Sequence, residues 1–252
     1  MIARHGAGLA ELGRRHSPST PVPTCGDWRL ADLVWHLAEV QDFWCHVIGN
    51  RPAGPDSYDR PSRPADDELG DLLADRCRRL VSLLTDADPA EHAWSWADEQ
   101  TVGFTVRRQS HEALVHHVDG LLAVGEPVPT VDPALGADGV DELVGVMLTG
   151  VPPWATFTRG TGTIRLDAGG AGRSWSLRFG RMTGTSPTTG TDHDLAALER
   201  IDDLDRADTV IEAPALDLDL WMWGRLPDEH VSVAGDPDAV ARLRQTIAES
   251  TQ

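Results

Sequence analysis

The chain has 252 residues, 40% of them hydrophobic and 25% charged, as in a soluble globular protein of one large or two modest domains. A formal net charge of −18 creates a field that repels nucleic acid and anionic membranes, so neither is expected as a partner. All 22 basic residues are arginines, which removes lysine Schiff-base and general-base chemistry and suggests a high-GC bacterial genome.

No apolar run approaches the roughly 20 residues that span a bilayer. The charged opening MIARHGAGLAELGRR does not read as a signal peptide. Cys25, Cys45 and Cys77 form neither a paired framework nor a CxxC motif, which fits a reducing cytoplasm.

In chain order, the pattern predicts a short helix over Arg4–His16, then the proline-rich stretch SPSTPVPTCGDW. A second helix follows in LADLVWHLAEVQDFW and stops near Gly49, with Asp27 as a candidate cap. A loop over Arg51–Pro64 leads to a helix at Asp66–Leu84. The tryptophan-bearing HAWSWADEQTVGFTV leads to a fourth helix at Val106–Leu122. Four helices joined in this way suggest an up-and-down bundle. A further short helix is expected near Gly139 in DGVDELVGVML.

Past Pro152 and Pro153 the period changes. GTIRLD, SWSLRFG, DTVIEA and HVSVAG alternate or are rich in β-branched residues, as strands are. PALDLDLWMWGRL reads as a helix, and Asp236-Pro237 caps another in DPDAVARLRQTIAES. TGTSPTTGTD reads as a loop. The fold class expected is therefore two-domain α+β: a helical bundle over 1–150 and a smaller α+β domain over 153–252.

The second helix carries an anomaly. Leu33, Leu37, Val40 and Trp44 share a face, and His36 falls on it too. Such a histidine is either satisfied by a neighbouring carbonyl or reaches a metal. In RRQSHEALVHHVDG, Glu112 and His116 stand at i and i+4 on one helical face. That pair can hold one divalent ion, with His36 from a facing helix completing the set, or it can be a solvated ion pair. The His111–His116 spacing is HExxxH, one residue longer than the HExxH of zinc proteases, so that reading is rejected. His111 and His117 lie off the Glu112/His116 face. Asp119, one turn on, is either an acceptor for an imidazole N–H or a surface residue. Trp28, Trp35, Trp44, Trp94 and Trp96 read as core or domain-interface filling. Cys25 reads as a small buried residue, since no histidine or arginine adjoins it in sequence.

Four motifs in order, VPTCGDWRLADLVWHLAEV, RRQSHEALVHHVD, DGVDELV and LDLWMWGRLPDEHVSVAGDPDAV, resemble those of the mycothiol-dependent maleylpyruvate isomerases and their DinB-like relatives. The resemblance spans nearly the whole chain. It implies a DinB-like bundle with zinc, or another divalent metal, held by His36, Glu112 and His116. It also implies mycothiol as cosubstrate for attack on a small electrophile, ending in isomerisation or S-transfer. It points to Arg225 as a catalytic residue, against an interdomain ion pair as the bland alternative. Arg29 stands where the family usually has a Ser or Thr helix cap. A metal-dependent hydrolase using the same ligands, and a non-catalytic ligand-binding protein with a structural metal, are the competing classes.

Overall fold

The computed structural model describes residues 1–202 and 206–250. They form two compact units, Met1–Pro129 and Thr130–Gln252.

The first unit is built from α1 (Ile2–Arg15), α2 (Leu30–Gly49), α3 (Leu69–Thr85) and α4 (Val102–Val124). Arg29 occupies the cap position of α2, and its N–H donates to Asp32 Oδ2 at 2.8 Å. The start therefore does not shift to Asp27. Helix α4 begins one turn earlier than the apolar pattern indicates, because the Thr101 hydroxyl accepts the Phe104 N–H at 3.0 Å. It ends at Gly125, whose φ of +72° is the left-handed conformation that glycine adopts without penalty.

The connectivity departs from a plain up-and-down order. The segment after α2 runs back along it: Arg60 pairs with Glu39, and Arg63 Nη1 reaches Asp32 Oδ1 at 2.5 Å. Helix α3 thus starts beside the N-terminal end of α2 and runs parallel to it, with Arg76 on Asp42 and the Cys45 thiol near the Arg76 carbonyl. Helix α1 is antiparallel to α3, with Gly6 against Cys77 and Gly70 against Ala10. It is parallel to α4, where Leu9 and Leu12 meet Gly120. The order is up-down-down-up, and it leaves α2 antiparallel to α4. Leu9, Leu12, Leu30, Leu33, Leu37, Leu69, Leu73 and Leu121 fill the core between them.

The second unit starts at α5 (Pro133–Glu142), before the change of period that marked the expected boundary at 150–153. Asp132 caps it, accepting the Ala134 N–H at 2.9 Å, with proline at the first helical position. A wider π-type turn, Leu143–Leu148, continues it. Strands β1 (Ala155–Gly169), β2 (Arg173–Thr185), β3 (Asp192–Ile201), β4 (Thr209–Pro214) and β5 (Ser232–Ala234) form one sheet in the order β3-β2-β1-β4-β5. Among the described residues only the β1/β4 pairing is parallel. Ile164, Leu166 and Ala168 alternate with outward residues on β1, as do Trp175, Leu177 and Phe179 on β2. This inward face packs on α5, the π-type turn, α6 (Ala215–Met222) and α7 (Pro237–Ser250). Strand β3 was not foreseen, since its Ala, Leu, Glu and Arg favour helices; pairing along β2 decides it.

Helix α5 belongs here because it lies directly on α6. A Cβ on Gly136 would stand 2.5 Å from the Leu216 amide nitrogen and 2.7 Å from the Ala215 carbonyl carbon. Both are backbone atoms, which move only with the helix. Gly136→Ala is expected to destabilise this unit by about 1–3 kcal/mol. Calorimetric unfolding measures it, and an unchanged melting temperature would show that the two helices separate freely.

Candidate metal centre

Antiparallel packing of α2 on α4 sets His36 opposite the Glu112/His116 turn. His36 lies at the edge of the apolar stripe rather than its centre, with 32% of its side chain exposed. Its Nε2 is 3.4 Å from Glu112 Oε1, and His116 Nε2 is 3.2 Å from the same oxygen. The three donor atoms all lie within 4.8 Å of one another. Two imidazole nitrogens and a carboxylate oxygen at such separations match the donors that a divalent transition ion takes. On that chemistry the residues fit a metal.

The surroundings orient each donor. Arg108 Nη2 donates to Glu112 Oε2 at 3.1 Å, leaving Oε1 to face the two histidines. His116 Nδ1 is 3.0 Å from Asp119 Oδ2, and Thr24 Oγ1 donates to Asp119 Oδ1 at 2.5 Å. Asp119 is fully buried, which settles its two readings in favour of the imidazole acceptor. The Trp28 and His36 rings pack at 4.9 Å between centroids, and His36 meets His116 edge-on at 4.9 Å. Trp28 is thus part of the wall of this site as well as of the core.

Thr24 and Arg108 are not among the residues that the sequence pattern singles out. Arg108 had a visible signal, its i,i+4 spacing to Glu112. Thr24 had none, because its partner lies far away in the chain. Cys25, read as buried, is half-exposed, and its Sγ lies within 4.8 Å of ligand atoms of His116 and Asp119. His117 turns away and meets His5, Nδ1 to Nδ1, at 3.0 Å. Burial, then the charge of His117, lowers the His5 pKa to about 4. His111 is buried on another face of α4. Trp44 and Trp94 pack together with Phe43, while Trp96 lies on Phe104 and remains half-exposed. Arg225 belongs to the second unit, at the turn after α6, where Nη1 donates to the Trp223 carbonyl at 2.5 Å.

Charge is shared within the site. Burial pushes the Glu112 pKa up, but His116 beside it, hydrogen bonds from both histidines, and Arg108 hold it well below the usual range. Burial opposes charge on His116 too, yet Glu112 and Asp119 raise its pKa to about 9. A proton therefore occupies the His116 ring at neutral pH, and a metal ion has to displace it. Apparent zinc affinity should rise about tenfold per pH unit from pH 7 and level off near 9, with about one proton or more released per ion at pH 7. Calorimetry in buffers of different ionisation enthalpy counts those protons; none released at pH 7 would contradict the assignment.

Residues 2–119 match the family model described as the mycothiol maleylpyruvate isomerase N-terminal domain, and residues 134–242 match that of the C-terminal domain. Two solved structures share the fold. One is mycothiol-dependent maleylpyruvate isomerase, 14% identical with a TM-score of 0.52. The other is a histidine-to-alanine mutant of mycothiol-dependent maleylpyruvate isomerase, 13% identical with a TM-score of 0.54. Each comparison covers 92% of this chain and 90% of the other. No curated protein matches the chain in sequence. With both domain models matched in order along the chain, the protein belongs to the mycothiol-dependent maleylpyruvate isomerase family.

Proposed function

We propose that the protein is an enzyme using a low-molecular-weight thiol, mycothiol, to act on a small electrophile by cis–trans isomerisation or S-transfer. The observation that carries this reading is the convergence of His36 Nε2, His116 Nε2 and Glu112 Oε1, three donors from two antiparallel helices. Catalytic zinc sites have three protein ligands and an open position, whereas structural ones are closed by four. His36, Glu112 and His116 would hold zinc or another divalent ion, which would supply the Lewis acidity that keeps a thiol of pKa about 8.5 as its thiolate. Family membership supports the isomerase branch. Cys25, Cys45 and Cys77, none of them in a disulfide, support a reducing cytoplasm as the setting.

The chain's own residues supply orientation. Asp119, anchored by Thr24, fixes the His116 ring so that Nε2 faces Glu112, as outer partners of ligating histidines do. Arg108 fixes the Glu112 carboxylate, and Trp28 packs against the His36 ring. In isomerisation, thiolate adds to one carbon of a cis double bond, the resulting single bond rotates, and loss of the same thiolate leaves the trans alkene. Arg225 is assigned to the electrophile, holding its carboxylate or developing enolate through paired N–H donors.

The test incubates metal-loaded protein with mycothiol and a panel of small electrophiles, read by mass spectrometry and chromatography. Thiol-dependent products of unchanged mass are expected, and adducts would mark S-transfer. His36→Ala and His116→Ala should each weaken metal binding by about tenfold or more while the protein stays folded. Turnover without thiol would favour the hydrolase, and a metal-loaded protein inert to every electrophile would favour a binding protein.

Arg225→Lys should keep metal and fold but lower turnover by about tenfold or more, since an ammonium does not reproduce the planar fork. An unchanged rate would return Arg225 to a structural ion pair.

A further inference from the structure

Arg108 lies one turn before Glu112 on α4, and only 7% of its side chain is exposed. A guanidinium that buried is held by its partners, Glu112 among them, with Nη2 3.1 Å from Glu112 Oε2. The consequence falls on the other oxygen, Oε1, which alone faces His36 Nε2 and His116 Nε2. Arg108 therefore does two things to the donor set. It fixes which carboxylate oxygen is offered. It also cancels the only negative charge among the three donors.

We propose that Arg108 is a positioning residue that offsets the Glu112 charge at this centre, weakening its hold on the cation and strengthening its hold on an anionic partner such as a thiolate. Two neutral imidazoles and one carboxylate sum to −1, which the guanidinium offsets; the buried Asp119 behind His116 adds a further −1 that is the same with or without Arg108. A divalent ion there meets one unit less negative charge than it would without Arg108, and keeps that much more of its own charge toward whatever else approaches. In a buried setting of low effective dielectric, one added positive charge a few ångströms away repels a dication and attracts an anion. The inference rests on the metal reading above and concerns the class of ligand the centre selects: an anion over neutral water. An ordinary structural salt bridge predicts something different, that loss of Arg108 loosens Glu112 and weakens every form of binding alike.

Arg108→Gln, which keeps length and a hydrogen-bond donor but no charge, and Arg108→Lys, which keeps charge but no fork, separate these cases. Cobalt(II) affinity is read by competition with a chelator. Anion affinity is read from the visible band of the bound cobalt as thiocyanate is added, or 2-mercaptoethanol, a neutral thiol that binds as its thiolate and releases a proton. In Arg108→Gln, cobalt should bind about tenfold tighter and both anions about tenfold weaker, opposite signs from one substitution. In Arg108→Lys, both affinities should stay within about threefold of the parent, since the charge remains. A fall in cobalt affinity in Arg108→Gln, or no change in anion affinity, overturns the proposal. If Arg108→Gln does not fold, a tenfold loss of anion affinity in a folded Arg108→Lys overturns it as well. Failure of the parent protein to take up cobalt at all would instead overturn the metal reading.

Discussion

The carboxylate of Glu112 carries its charge between helices of the first unit with 19% of its side chain exposed, and the local structure is arranged around that fact. A buried carboxylate without partners would carry a desolvation penalty of several kcal/mol. Here Arg108 takes one oxygen, and His36 and His116 share the other. The positive charge drawn onto His116 is met in turn by Asp119, whose second oxygen takes the Thr24 hydroxyl. A polar chain thus runs from the middle of α4 to the loop that precedes α2. Each member is oriented by the next, which is the condition for a donor set that keeps its geometry before any ligand arrives.

That chain depends on the direction of the helices. In a plain up-and-down bundle, the second and fourth helices run the same way and sit across a diagonal. The return of the 50–68 segment along α2 changes this, placing α3 parallel to α2 and α4 antiparallel to it. Progress along α2 then corresponds to retreat along α4, so Thr24 meets Asp119 while His36 meets His116 and Glu112. The arginines of that return segment, Arg60 and Arg63, fasten it to Glu39 and Asp32. Exposed pairs of this kind contribute little stability individually. Their effect here is on the path of the chain.

The second unit shows the same reliance on arginine in a chain without lysine. Arg159 forks onto Glu199, and Arg244 bridges Asp228 and the Trp221 ring. Trp221 Nε1–H donates to the same Asp228, so a fully buried indole keeps its polar atom paired at the rim of the core. The sheet buries one face only, which explains why β1 and β2 alternate so plainly in sequence. Strand β3 presents mostly exposed or half-exposed residues and carries no such imprint.

What the sequence determined by itself were features of short range or strict period. The amphipathic stripes gave the four bundle helices, the Asp-Pro pair at 236–237 gave α7, and the i,i+4 spacing placed Glu112 and His116 on one face. The resemblance carried by four motifs identified the family and named His36 as their partner. The Asp132-Pro133 signal was equally present in the sequence and marks where the second unit begins. Tertiary structure alone decided the rest. Whether His36 was a core residue or faced Glu112 depended on the direction of α2 against α4, and that was fixed by a connection with no periodic pattern. Asp119 was surface or interior according to what stood against it, and Thr24 and the Cys25 thiol reach it from nearly a hundred positions away in the chain. Local pattern specifies a residue's element and face; only packing brings the second face that gives a charge its partner.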